Sequence, residues 1–250
     1  MFYLVKENSF IYTMISSSII IPIYKKHLSS TERRSLIQTA QILGNCPVIF
    51  VAPQSLDCSL YLSVIPDARI ITFPDFYFKS LKGYNSLLLS EQFYAGFKEY
   101  DYILLTQLDV WVFEDQLEHW TSLGYDYIGA PWLSEPPKQK RVNLLPMGKW
   151  MLGKVGNGGF SLRKVSSHLR IAHNLKWMSW LFKKNEDFFW SIIVPKFYKS
   201  FKIPSKEEAV FFAFELSPEK AYEMTDHILP FAVHAWEKHN PDFWKSFISF

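Results

Sequence analysis

The chain has 250 residues, with 27 Lys and Arg against 24 Asp and Glu, a formal net charge of +3. That balance is too mild for a dedicated nucleic-acid binder, whose basic face stands out in composition; no nucleic-acid partner is expected. Apolar residues make up 48% and charged residues 20%, which excludes intrinsic disorder, and the length suits one large domain, 1–250. Aromatic residues are 18% of the chain, and rings of this kind fill a core, line a sugar or base pocket, or lie at a membrane surface. Cys46 and Cys58 are the only cysteines. They make neither a disulfide framework nor a structural zinc site, and a reducing compartment is the simpler reading.

An apolar stretch at 9–23 is broken by serines and Pro22 and falls short of the ~20 residues a bilayer span needs. It lacks the basic leader and small-residue cleavage site of a secretory signal. The chain reads as a soluble, cytoplasmic protein. The run 18–24 is β-branched and apolar, and predicts a buried first strand. Ser29 and Glu32 stand at capping-box spacing before Leu36, Ile37, Ala40 and Leu43, which predicts a helix stopped at Gly44-Asn45. Residues 47–52 and 69–73 are the next strands, closed by Pro53 and Pro74. Gly83 and Tyr84 open a helix in which Leu89, Phe93 and Phe97 recur every four residues, and 102–105 is a fourth strand. Further strands are predicted at 125–130 and 160–162, and helices at 166–181, 187–194 and 206–214. Alternating strands and helices argue for an α/β fold with a mostly parallel sheet. The segment 133–154, with five basic residues, is the longest stretch without pattern, and loops of that length are usually functional or mobile.

Four places can carry chemistry. The apolar strand 102–105 runs into Thr106-Gln107-Leu108-Asp109, and ligands of open α/β sheets bind beyond the carboxyl ends of strands. Asp109 there is either a turn or helix cap or a ligand of a divalent ion. The Gly156-Asn157-Gly158-Gly159 loop matches neither a P-loop nor GxGxxG; it is a plain turn or a place where backbone approaches a ligand closely. Asn185-Glu186-Asp187 precedes an apolar run, and its acids read as helix caps or as a general base near a pocket. His234 lies in an apolar run, where a hydrogen-bonded core histidine is commoner than a metal ligand. The segment 168–184 interleaves Arg170, His173, Lys176, Lys183 and Lys184 with Trp177, Trp180 and Phe182. It is either a packed helix with a solvated basic edge or a surface for an anionic membrane. The tail Phe243-Trp244-Lys245-Ser246-Phe247 carries the same two readings.

The order of these signals is more specific than any one of them. The stretches GYNSLLLSEQFY, YDYILLTQLDVWVF, GYDYIGAPW, VGNGGFSLRKV, NEDFFW, EEAVFFAFE and PFAVHAW together resemble a nucleotide-sugar-dependent glycosyltransferase of the GT-A type. More narrowly they resemble a glycosyltransferase family catalogued as a domain of unknown function. The resemblance implies a GT-A-like single domain and an enzyme that moves a sugar from a nucleotide-diphosphate donor to a hydroxyl of a glycan or lipid-linked acceptor. It further implies inversion, surface polysaccharide or lipopolysaccharide biosynthesis, and a cytoplasmic location with a peripheral contact at the inner face of the membrane. Pro22, Tyr24, Gln107, Asp109, Asn157, Gly158 and Gly159 would bind the donor. Asp109 and His234 would hold Mn²⁺ or Mg²⁺, although the family's D-x-D is here Gln107-Leu108-Asp109. Asp187 would be the catalytic base, Glu186 would orient a sugar hydroxyl, and 133–154 would close as a lid. The rival readings are a non-catalytic nucleotide-sugar or glycan-binding module, a metal-dependent nucleotide-sugar hydrolase, and a membrane-surface scaffold.

Overall fold

In the computed structural model the described residues are 15–134, 150–183 and 185–248. Most of the segment expected to form a lid, and Lys184, lie outside them. The strands are β1 (Ser17–Pro22), β2 (Val48–Pro53), β3 (Arg69–Phe73), β4 (Tyr102–Thr106), β5 (Val110–Val112), β6 (Tyr127–Gly129), β7 (Phe160–Lys164), β8 (Ala213–Phe214) and β9 (Ala232–His234). Six of them form one sheet in the order β3-β2-β1-β4-β7-β6, and β5-β9-β8 form a second, smaller sheet. The pairs among β3, β2, β1 and β4 are parallel, whereas β7 runs antiparallel to both β4 and β6.

The interior strands are apolar on both faces because both faces are covered. Side chains alternate across the sheet. Ile19, Ile21, Phe50 and Leu104 enter one core with Leu36 of helix α1 (Ser30–Ile42). Ile20, Ile49, Val51, Ile103 and Leu105 enter the other, with Phe93, Phe97 and Ile171. The capping box of α1 forms as its spacing predicts: the Ser29 hydroxyl accepts from the Glu32 amide, and Glu32 accepts from the Ser29 amide. Glu32 also pairs with Lys25.

Three predicted helices are broken up. The one opened at Gly83 is two: α2 (Leu81–Leu88) and α3 (Glu91–Ala95). Ser90 separates them, since its hydroxyl donates to the Leu87 carbonyl while accepting from the Phe93 amide, a local capping interaction that periodicity cannot register. The 166–181 helix ends at Asn174 as α4 (Val165–Asn174); a short turn of α-helix, Lys176–Ser179, and a 3₁₀ turn, Trp180–Phe182, follow. The last two residues of the predicted 206–214 helix are strand β8, because they pair with β9.

The smaller sheet shares the core of the larger one. Phe160 of β7 stacks on Phe212 with ring centroids 5.0 Å apart and meets Phe231 edge-on at 5.1 Å. The tail is core as well: Trp244 is fully buried and stacks on Phe113, so its membrane reading gives way to packing. Because Phe160 is fully buried where the two sheets meet, Phe160→Ala should lower stability by about 3–5 kcal/mol, read as a shift in the denaturant midpoint at unchanged m-value.

Candidate active site

The strand order turns back between β1 and β4: the chain leaves β1 for β2 on one side, and β4 lies on the other. A crevice opens at such a switch point beyond the carboxyl ends of the strands. Here it is a cleft of about 570 Å³ whose lining includes Pro22 at the end of β1 and Tyr24 beyond it, Gln107 and Asp109 after β4, and Lys25 and Lys238. Tyr24 lies outside β1 and is exposed.

The small sheet assembles the acidic end of this cleft. Val110 of β5 pairs with His234 of β9, and Phe214 of β8 pairs with Val233. This register brings Asp109, His234 and Glu215 together from three distant parts of the chain. The His234 Nδ1–H donates to Glu215 Oε1 at 3.1 Å, and the Nε2–H faces Gln107 Oε1 at 3.2 Å and Asp109 Oδ1 at 3.3 Å. Burial disfavours a charged imidazole, but the hydrogen bonds to Asp109 and Glu215 outweigh it, and His234 is raised to about 9. Burial likewise pushes Asp109 up. The hydrogen bonds and charges of His234 and Lys238 reverse this and hold it well below the usual carboxylate range. Lys238 takes the other oxygen, Oδ2, at 2.5 Å. Asp109 is therefore no helix cap, whereas Asp115 makes a local turn before the next helix, accepting from the Leu117 amide. His234 is buried, as its apolar run suggests, but all its ring nitrogens are spent on polar groups of the cleft.

The glycine loop backs this cluster. A side chain on Gly159 would place its Cβ 2.2 Å from His234 Nε2, and one on Gly158 would lie 2.2 Å from Glu186 Oε1. Only residues without Cβ let this backbone lie between the histidine and the acid. The Asn157 side chain accepts from the Gly159 amide at 2.8 Å, and the Gly159 carbonyl accepts from the Gln107 amide at 2.9 Å. Asn157 is buried, and Gly158 and Gly159 lie between the acidic end of the cleft and the second acidic pair.

That pair opens a short α-turn, α5 (Glu186–Phe188). Asn185 makes no side-chain cap there. Glu186 caps nothing either: its two oxygens accept from Arg163 Nη2 at 2.9 Å and Nη1 at 3.2 Å. Arg163 on β7 is fully buried and also donates to Tyr94 and Ser161. Asp187 is half-buried and accepts from the Phe188 amide. Burial, reinforced by the charges of Glu186 and Glu215, pushes its carboxyl up to about 7. A π-helical turn, Phe189–Ile193, follows at once. Turns of this type recur at functional sites.

Arg163, Glu215 and Lys238 were not singled out by motif reading. Each lies in or beside a matching stretch, but only pairing across the sheets reveals its partner. Among the described residues no group of three or more His, Cys, Asp or Glu side chains is arranged to hold a metal ion.

The architecture is similar to that of solved glycosyltransferases. Mouse xyloside xylosyltransferase 1 in its apo form is 13% identical, with 88% of this chain and 97% of that chain covered at a TM-score of 0.51. Core-mannan synthase A from Aspergillus fumigatus, in an Mn/GDP form, is 12% identical over 78% of this chain and 74% of that one, with a TM-score of 0.50. An active-site mutant of LgtC is 14% identical over 87% and 86%, also at 0.50. These likenesses define a GT-A-like α/β fold, with its central, mostly parallel sheet flanked by helices. The family model described as "Protein of unknown function (DUF5672)" matches residues 67–234, and the chain belongs to that family. No curated protein matches the chain in sequence.

Two consequences are measurable. Arg163→Met strands a buried carboxylate and should cost about 3–5 kcal/mol in chemical denaturation, with much of that recovered when Glu186→Leu is added. Asp187 has a folded-state pKa near 7 against an ordinary value of 3.8. Its contribution to stability is present below about pH 4 and is lost as pH rises to about 7. Asp187→Asn, which cannot ionise, should therefore gain in Tm relative to the unsubstituted protein between those pH values and hold the gain above them.

Proposed function

We propose that this chain is a single-domain, inverting glycosyltransferase that transfers a sugar from a nucleotide-diphosphate donor to a hydroxyl of a glycan or lipid-linked acceptor. The observation that carries the reading is Asp187, raised near neutrality beside a glycine loop whose other side meets His234; these groups lie behind the switch-point cleft, whose lining reaches them through Gln107 and Asp109. A base with a pKa near the working pH takes a proton most effectively in the transition state. In this reading Asp187 receives the proton of the acceptor hydroxyl as it attacks the anomeric carbon. Direct attack with such a base inverts that centre.

Pro22, Tyr24, Gln107 and Asp109 hold the donor in the cleft, and Asn157, Gly158 and Gly159 border its sugar. Glu186 acts differently from what the resemblance implies. Both its oxygens are held by Arg163, so it positions the loop and raises Asp187 instead of binding a hydroxyl. Asp109 and His234 are the residues that would hold a divalent ion, Mn²⁺ or Mg²⁺; Glu215 fixes one imidazole nitrogen and turns the other towards Asp109, and ligation would require that second nitrogen to lose its proton and Lys238 to leave Asp109. When bound, such an ion would stabilise the charge of the leaving diphosphate as a Lewis acid. Lys238 adds a positive charge at the same place. A similarly folded protein crystallised in an Mn/GDP form supports cation use. The setting is surface polysaccharide synthesis in the cytoplasm, against the inner face of a membrane.

A non-catalytic nucleotide-sugar or glycan-binding module is the second reading. Gln107 in place of an acid favours it, as does Lys238 already seated on Asp109. Turnover separates the two. With purified protein, a panel of nucleotide sugars and Mn²⁺, Asp187→Asn should lower kcat by about 10²–10⁴-fold with donor binding retained. Asp109→Ala and His234→Ala should each weaken cation-dependent donor binding by calorimetry. Asp187→Asn transferring at the parental rate, or a product that keeps the donor's anomeric configuration by NMR, would remove the base and the inverting mechanism respectively.

A further inference from the structure

The segment after α4 divides its apolar side chains between two directions. Met178 is buried and Phe182 packs against both neighbouring cores. Trp177, Trp180 and Leu181 turn the other way and are 67%, 62% and 55% exposed. Their spacing puts the three on one side of the turn. Large apolar groups contiguous in this way mark an interaction surface more often than an ordinary solvated face.

A groove of about 810 Å³ runs beside them, lined in part by Phe76, Lys82, Lys176, Trp180 and Lys183. Phe76 is itself exposed. The one acid in that lining is Glu91, and it is engaged by His173 at 3.1 Å. Lysine is thus in excess around the exposed rings. Tryptophan flanked by lysine is the composition of surfaces that lie at the headgroup level of an anionic bilayer, where indole is half-solvated and ammonium groups meet phosphate. Among the described residues no helix is long and apolar enough to cross a membrane, so contact through this segment is of the surface kind.

We infer that the face formed by Trp177, Trp180 and Leu181, with Lys176, Lys183 and Lys82 around it, is a docking surface for an anionic lipid bilayer. The groove reaches the candidate active site: Ser80 lines both it and the cleft that contains Asp109. A protein seated on this face holds the mouth of its cleft beside the lipid headgroups, where a lipid-linked acceptor is presented. That delivery role rests on the glycosyltransferase reading; the docking itself does not.

The test is sedimentation of the purified full chain with phosphatidylcholine vesicles containing about a quarter phosphatidylglycerol, and with vesicles of phosphatidylcholine alone. The protein should pellet with the anionic vesicles, with a blue shift in tryptophan emission, and far less with the neutral ones. Trp177→Ser with Trp180→Ser, and separately Lys176→Glu with Lys183→Glu, should each weaken binding by about ten-fold or more. Circular dichroism and Tm report whether the variants fold; the lysine pair, with Lys176 exposed and Lys183 half-buried, serves if the tryptophan pair is not tolerated. Protein left in the supernatant with anionic vesicles, or variants that bind as the parent does, would overturn the inference. So would a dimer in size-exclusion chromatography that the tryptophan substitutions dissolve, since the face would then belong to a second copy. Transfer to a soluble acceptor without vesicles is measured alongside. Docking without turnover would retain this surface and sink the proposed enzyme; turnover without docking would do the reverse.

Discussion

A guanidinium and a carboxylate sealed from water hold the candidate site together. Arg163 comes from β7, the strand between β4 and β6 in the central sheet, and Glu186 from the helical turn that carries Asp187. A buried charge is tolerated only with a close partner and saturated hydrogen bonds, and Arg163 has both, with Tyr94 and Ser161 taking donors that Glu186 leaves. The pair fixes where the turn begins. It leaves no room for a side chain on Gly158, and it keeps a second negative charge next to Asp187, whose pKa rises for that reason as well as through burial.

A second polar cluster faces this one across the glycine loop. His234 lies between carboxylates on both ring nitrogens, and Lys238 completes the balance of charge on Asp109. The two clusters work in opposite senses. One lowers an acid and raises a histidine, so that paired charges of both signs meet at the end of the cleft; the other raises an acid towards neutrality. Groups whose environments drive their pKa values apart are the usual means of placing an acid or base role within one site. Here a backbone of glycine allows them to approach without a side chain intervening.

The central sheet was legible because its strands obey a local rule. Residues 19–21, 49–51 and 103–105 are apolar without a break, since helices or further strands cover both faces. The capping box at Ser29 and Glu32 is likewise a four-residue pattern. Strands β5, β8 and β9 were not legible. They are two or three residues long, too short for a period to show, and β8 reads as the end of a helix. The Gly83–Phe97 helix failed for a related reason, because the Ser90 hydroxyl competes with the helical hydrogen bonds.

The sequence by itself determined the alternation of strands and helices, the covered sheet, and which acids and which histidine stood in motifs capable of chemistry. Spacing along the chain encodes these, because a strand or helix is stabilised by neighbours a few residues away. Only the tertiary structure decided what each group is joined to. Asp109 became a partner of His234 and Lys238 instead of a cap, Glu186 became the counter-charge of Arg163, and the aromatic tail became core while Trp177 and Trp180 faced outward. Those outcomes depend on strand register and on the cost of burying charge without a partner, and both are properties of residues far apart in the chain.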